Sequence, residues 1–232
     1  KTSLDSYVSV LMMENKVVTK KVLERAGISV PGGYEYTSPE AGMADYRMYA
    51  GKPVVIKPKS TNFGLGITIL KHNYDETDFK AALQIAFEHD NTVLIEKFIP
   101  GREFRIFIIN DEVVGILHRV PANVTGDGVL NIGQLIKGRE EEMFLKQQGM
   151  DFNTVPKEGE VVYLRENSNI STGGDSIDFT DDIDDSYKAI AVEAAKALNV
   201  KITGLDMMIQ DIHAPATPDN YAIIEMNFNP AI

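Results

Sequence analysis

Hydrophobic and polar positions change period along the chain, and the changes mark its elements. Residues 15–26 carry Val18, Val22 and Ala26 at helical spacing, with Asn15 placed to cap the start and Gly27 where a helix stops. A turn at 28–33 and a short strand at 34–37 follow. Ser38-Pro39 opens a second helix that the pattern carries to Ala50. The run at 53–58 (PVVIKP) predicts a buried strand, followed by a polar glycine-bearing loop at 59–66 and a strand at 67–71. A helix is predicted over 76–89 and a strand over 92–99. The second half opens with a hairpin: residues 102–109 and 112–119 alternate or run apolar, and Asn110-Asp111 sits between them as a two-residue turn. Beyond it the pattern predicts a helix at 139–149, a strand at 160–165, an irregular loop at 166–182 and a helix at 183–199. Strands at 202–212 and 220–227 close the chain, joined by the loop at 213–218. Helices and hairpins intermix, which predicts an α+β fold with antiparallel sheets rather than a doubly wound parallel sheet. A break at 97–101 divides the chain into two lobes, 1–98 and 99–232.

Composition narrows the function classes. Hydrophobic residues make up 44% and charged residues 25% of the 232, the balance of a globular protein rather than a disordered or fibrous one. No run reaches the roughly 18 apolar residues that a membrane-spanning helix needs, and the first ten residues lack the apolar core of a signal peptide. There is no cysteine, which excludes a thiolate nucleophile, a disulfide framework and a cysteine metal site, and makes a reducing cytoplasm the expected setting. The formal charge is −11, from 23 Lys+Arg against 34 Asp+Glu. A body this acidic repels a nucleic-acid backbone, so nucleic acid is set aside as a partner. A small anion remains compatible if basic residues are gathered in a cleft.

Four segments carry candidate chemistry. Lys57 ends an apolar strand and precedes Lys59-Ser60-Thr61-Asn62-Phe63-Gly64-Leu65-Gly66. The loop is neither a Walker A loop nor a dinucleotide fingerprint. Its glycines allow backbone N–H groups to turn toward phosphate, and a lysine emerging from an apolar strand calls for a fixed anionic partner. A plain hairpin turn with a solvated lysine fits the same residues. Around Pro100-Gly101, Glu96 and Glu103 flank a crossing between the lobes, which suits either a nucleoside or ordinary surface charge. The third segment is the most specific. Asp206 lies in one apolar strand, and Glu225 and Asn227 lie two apart in another, on one face. If the 213–218 loop is symmetric, paired residue numbers sum to 431, which sets Asp206 opposite Glu225 and Ile212 opposite Asp219. Facing carboxylates repel unless a cation lies between them, and this sparse oxygen set suits Mg²⁺. One carboxylate raised in pKa, or a salt bridge to a lysine, is the alternative to the favoured metal site. Fourth, the loop at 167–174 (NSNISTGG) is rich in small donors and long enough to close over a substrate.

Taken in order, Lys16, Lys57 with its glycine loop, the segment from Glu96 to Glu103, Asp206, and Glu225-x-Asn227 resemble the ATP-grasp superfamily. Within it, Arg119-Val120-Pro121-Ala122-Asn123-Val124 with Gly126-Asp127-Gly128, the segment at 169–174 and the segment at 17–33 resemble one branch. That branch holds cyanophycin synthetases and the ATP-grasp module of bacterial bifunctional γ-glutamate–cysteine ligase/glutathione synthetases, the latter being the better likeness. The resemblance implies an ATP-grasp fold of two α+β lobes clasping ATP. It implies that Lys16, Lys57, Ser60, Gly64 and Gly66 hold phosphates, that Glu96, Lys97 and Ile99 face adenine, and that Glu103 takes the ribose. Asp206, Glu225 and Asn227 would bind Mg²⁺, or Mn²⁺ in its place. Asn169, Ser171, Thr172, Gly173 and Gly174 would contact substrate. The implied partners are γ-glutamylcysteine, glycine and a covalently linked glutamate–cysteine ligase domain, with a homodimer left open. Another peptide ligase module, or an ATP-binding lobe without catalysis, would keep many of the same residues.

Three departures from the pattern matter. Related D-alanine–D-alanine ligases carry an arginine two residues before the metal aspartate, where this chain has Gly204, so Arg119 and Arg165 become the candidates for stabilising the reacting anion. The chain starts at the ATP-binding helix and stops just after the metal motif, which reads as an excerpt of a longer enzyme. The stretch after Gly128 reads as shorter than in relatives.

Overall fold

A computed structural model describes residues 4–61, 65–71, 73–120, 122–135, 145, 148–164 and 175–230. The described chain forms two compact units, one of residues 1–118 and 178–232 and the other of residues 119–177.

The first unit contains a four-stranded antiparallel sheet of β1 (Gly33–Tyr36), β2 (Val54–Pro58), β3 (Thr68–Leu70) and β4 (Val93–Lys97), in the order β1-β4-β2-β3. Val54, Ile56, Val93 and Ile95 share one face and pack on Phe79, Ala82, Leu83 and Ala86 of α5 (Glu76–Phe87). Asp75 caps that helix with a reciprocal capping box to Asp78. The period of two then puts Val55, Lys57, Leu94 and Glu96 on the opposite face. The helix expected over 39–50 is two short ones, α3 (Pro39–Ala44) and α4 (Tyr46–Tyr49). Asp45 interrupts them and accepts the Tyr36 hydroxyl, which also meets that of Tyr49.

The second sheet contains β5 (Arg102–Ile109), β6 (Glu112–Val120), β9 (Asp175–Asp178), β10 (Ile202–Ile209) and β11 (Tyr221–Asn227), in the order β11-β10-β5-β6-β9. Asn110 and Asp111 both have positive φ, 51° and 68°, as a two-residue turn between twisted strands requires. Phe104, Ile106, Ile108, Leu205, Met207 and Ile209 fill one face and join a core with α7 (Asp185–Ala197). Met13 of α1 (Tyr7–Glu14) and Leu23 of α2 (Lys16–Arg25) enter the same core. Helix α1 has no counterpart in the sequence reading. Asn15 ends it, and its side chain caps α2 by accepting from the N–H groups of Val17 and Val18.

The second unit has its own small core of Ala122, Ile132, Leu145, Val162 and Leu164. It holds the ribbon β7 (Asn123–Thr125) and β8 (Val161–Tyr163), and the short helix α6 (Ile132–Leu135). Gly126 lies where only glycine fits: a Cβ there would sit 2.3 Å from the carbonyl oxygen of Lys157. Most of the expected helix at 139–149, and residues 165–174 of the expected loop at 166–182, lie outside the described residues.

Candidate functional site

The polar face of the second sheet gathers the chemistry. Pairing sets Asp206 between Arg105 on β5 and Glu225 on β11, and Gly204 opposite Asn227. Period two therefore gives one face to Glu103, Arg105, Asp206, Glu225 and Asn227, opposite the apolar core. The expected Asp206–Glu225 pair is present, but the uniform register is not. From Met207 to Ile209 the pairs sum to 430, and a bulge between Asp206 and Met207 restores 431 at the carboxylates. Gln210 N–H already donates to Asn220, so Ile212 does not face Asp219 as the symmetric loop predicts. The bulge re-aims the end of β11 at the site.

Asp206 is 2% exposed and is gripped by Arg105: Nε donates to Oδ1 and Nη2 to Oδ2, each at 2.7 Å. Such a bidentate pair fixes the carboxylate plane. Sequence reasoning missed Arg105, although it is the one charged residue in the run 104–109, a signal of the same kind as Lys57. An arginine at position 204 has no room. A Cβ there would lie 2.6 Å from Cβ of Pro230, so the cation on this aspartate comes from the neighbouring strand instead.

Helix α2 brings two lysines, one turn apart, to the carboxylates. Lys16 Nζ lies 3.5 Å from Glu225 Oε1 and donates to the carbonyl of Thr61 at 2.7 Å, which ties the start of the glycine loop to the helix. Lys20 Nζ donates to Glu96 Oε1 at 2.8 Å, and Lys57 Nζ lies 2.9 Å from Glu96 Oε2. Glu96 is thus the fixed anion that Lys57 calls for. The side chains are nearly closed to solvent, at 3% for Glu96, 10% for Lys57 and 16% for Lys20. Burial alone would raise the Glu96 pKa, but the ammonium groups of Lys57 and Lys20 outweigh it and hold the carboxyl below its usual range. Burial likewise opposes charge on Lys57, and Glu96 overcomes it, raising Lys57 above the ordinary lysine value. Lys16 goes the other way: burial lowers its pKa, Lys57 adds repulsion, and Glu225 only partly offsets them. Half-buried Lys16 and buried Lys57 lie within electrostatic reach of each other, an arrangement suited to a polyanion.

Ser60 N–H donates to Asp90 Oδ2 at 2.7 Å, which pins the loop to the α5–β4 connection, and Gly66 has φ +74°. Lys97 is exposed at the end of β4, and its N–H donates to the carbonyl of Gly32. Ile99 is half-buried beyond it. The Glu103 carbonyl accepts from His118 Nδ1 at 3.0 Å, and burial keeps that imidazole below its ordinary pKa. Arg119 is buried and belongs to the second unit. Gly64, Arg165, Asn169, Ser171, Thr172, Gly173 and Gly174 lie outside the described residues.

The donor set at Asp206, Glu225 and Asn227 fits a divalent cation of the hard type. Among the described residues, no cluster of three His, Cys, Asp or Glu surrounds a point, so two carboxylates and one amide are what the protein offers. That is the set for a largely hydrated Mg²⁺ that completes its shell with phosphate oxygens. Asn227 Nδ2 is buried without a hydrogen-bond partner among the described residues, and such a group calls for an acceptor from a ligand.

The family model for the RimK-like ATP-grasp domain matches residues 13–148, which is more than half of the chain. The chain belongs to this ATP-grasp family. It is 57% identical, over its whole length, to the glutathione biosynthesis bifunctional protein GshAB of Desulfotalea psychrophila, and 49% identical to that of Clostridium perfringens. It spans 32% of each, so it corresponds to about a third of those proteins. Among solved structures, the bifunctional glutathione synthetase from Pasteurella multocida is 45% identical, with TM-score 0.64, matching all of this chain and 34% of that one. The D-alanine–D-alanine ligase from Bacillus anthracis shares the fold at 21% identity and TM-score 0.63, over 96% of this chain and 59% of that one. The α+β ATP-grasp architecture expected from the sequence is the one found. Among the described residues, no helix is long and apolar enough to cross a membrane.

Proposed function

We propose that this chain is the ATP-dependent carboxylate–amine ligase portion of a bifunctional enzyme, joining γ-glutamylcysteine to glycine to give glutathione, ADP and phosphate. The observation that carries the reading is the convergence of Lys16, Lys57, Asp206, Glu225 and Asn227 in one unit, in a chain 57% identical throughout to a glutathione biosynthesis protein.

Lys16 and Lys57 leave their carboxylate partners to hold ATP phosphates, with Ser60, Gly64 and Gly66 supplying the loop. Glu96, Lys97 and Ile99 face the adenine, with the Lys97 carbonyl and the Ile99 main chain reading it, because the Glu96 carboxylate is engaged by two lysines and the Lys97 N–H by Gly32. Glu103 takes the ribose hydroxyls. Asp206, Glu225 and Asn227 would hold Mg²⁺, or Mn²⁺, which would supply positive charge against the phosphates. The cysteinyl carboxylate of γ-glutamylcysteine attacks the γ-phosphorus and ADP departs. The amine of glycine then attacks the acyl carbon and phosphate leaves. Positioning and charge neutralisation are the whole of the protein's task, and no protein nucleophile takes part. Asn169, Ser171, Thr172, Gly173 and Gly174 contact the substrate, and Arg119 and Arg165 are the candidates for stabilising the reacting anion. The lobe division at 98/99 and a linked glutamate–cysteine ligase domain belong to the same proposal, as does a cytoplasmic setting.

The test is phosphate release from ATP and Mg²⁺ by the full-length natural protein. Release that needs both γ-glutamylcysteine and glycine supports the reading. Release only with aspartate–arginine peptide substrates moves the chemistry to a cyanophycin-type ligase. Tight ATP binding without release from any pair leaves a binding lobe.

A further inference from the structure

Lys20 is not among the residues placed on the nucleotide or the metal, yet it is committed to a buried carboxylate, Glu96, 3% exposed. It sits one turn after Lys16 on α2, and its ammonium donates to Glu96 Oε1 at 2.8 Å while Lys57 occupies Oε2 at 2.9 Å. Glu96 therefore has two counter-ions, and only Lys57 stands in the strand that leads into the glycine loop. We propose that Lys20 is a positioning residue that frees Lys57 for the nucleotide. It keeps the buried Glu96 charge compensated when Lys57 turns its ammonium toward phosphate. The proposal rests on the reading of Lys57 as a phosphate-holding lysine.

The physical argument is one of charge balance in a closed space. A buried carboxylate that loses its only cation carries a large penalty, and removing one partner of such a pair is strongly destabilising. With Lys57 alone on Glu96, drawing the ammonium away would incur that penalty in full, and nucleotide affinity would be reduced by it. With Lys20 in place, one hydrogen-bonded cation stays behind. Helix α2 fixes Lys20 for this, because its first turn is capped by Asn15 and its Leu23 is buried in the core under the second sheet. Lys20 does not need to touch the nucleotide to raise its affinity.

The experiment measures ATP binding by calorimetry in the full-length protein, with wild type, Lys20→Met, Lys20→Arg, Glu96→Gln and the double variant Lys20→Met/Glu96→Gln. Lys20→Gln stands by should the methionine variant fail to fold, and thermal unfolding checks each protein. The expected result is that Lys20→Met weakens ATP binding roughly tenfold, mid-range for groups coupled in one charge network. Lys20→Arg should restore near wild-type binding. In the Glu96→Gln background the loss caused by Lys20→Met should shrink below about twofold, because a neutral amide needs no counter-ion. A folded Lys20→Met protein with unchanged affinity overturns the proposal. So does an equal loss in both backgrounds, which would mean that Lys20 acts on the nucleotide itself or through the fold. Absence of ATP binding by the wild type would instead remove the nucleotide reading on which the proposal stands.

Discussion

Replacing Arg105 by methionine tests whether the polar face of the second sheet is held together by charge pairing. The perturbation leaves the stem volume in place and removes the fork that grips both oxygens of Asp206 at 2.7 Å. Asp206 is 2% exposed, so water cannot replace the guanidinium. Breaking a buried pair by removing one partner costs about 3–5 kcal/mol. Arg105 is itself 14% exposed and Asp206 has further interactions, which places the estimate near the lower end, at about 3 kcal/mol. For a unit of this size that corresponds to a fall in Tm of roughly 6–12 °C. The double variant Arg105→Met/Asp206→Leu removes both charges and should recover most of the loss, because an apolar pair of similar volume replaces a buried ion pair at little cost. The assay is thermal and urea unfolding of the four proteins of the cycle, without and with ATP and Mg²⁺. Arg105→Met should also gain more Tm than wild type from Mg²⁺–ATP, since the metal then supplies the missing cation. A single-variant cost below about 1 kcal/mol, or a double variant no better than the two singles added, would refute the pairing argument.

Three further outcomes follow from the same geometry. Glu225→Gln should cut ATP turnover by at least about a hundredfold, the scale of losing one preorganised electrostatic contact, while unfolding shifts by about 1 kcal/mol or less because its pair with Lys16 is partly exposed. Gly204→Arg, which introduces the arginine that the D-alanine ligase pattern calls for, should destabilise by about 1–3 kcal/mol through collision with Pro230 and give no gain in turnover, both read from unfolding and phosphate release. The depressed Glu96 pKa means that its stabilisation is complete above the ordinary carboxylate range and is lost as pH falls through the lower folded value. Acid unfolding monitored by circular dichroism should therefore be shallower in Glu96→Gln below about pH 4.

What the sequence made legible follows from which interactions are local. The capped helix α2, the Asn110-Asp111 turn and the apolar strands all announce themselves within a few residues. The Asp206–Glu225 pair was legible for a less secure reason. The loop is not symmetric, and the bulge in β11 cancels the offset at the carboxylates. Helix α1 was hidden because Tyr7, Val8 and Leu11 are exposed while Val10 and Met13 are buried, so no clean apolar stripe appears. Asp45 breaks the helix at 39–50 by accepting the Tyr36 hydroxyl from β1, a tertiary contact that no local pattern carries. Arg105 and Lys20 were overlooked for the same reason. Their partners are 101 and 76 residues away, and only the strand order and the docking of α2 reveal them.

The central claim is that a carboxylate is activated by transfer of phosphate from ATP before the amine attacks. The most direct measurement uses γ-glutamylcysteine carrying heavy oxygen in its cysteinyl carboxylate, with ATP, Mg²⁺ and glycine, and reads the mass of the released phosphate. The label should pass into phosphate, one oxygen per glutathione formed. Phosphate released without label would contradict it.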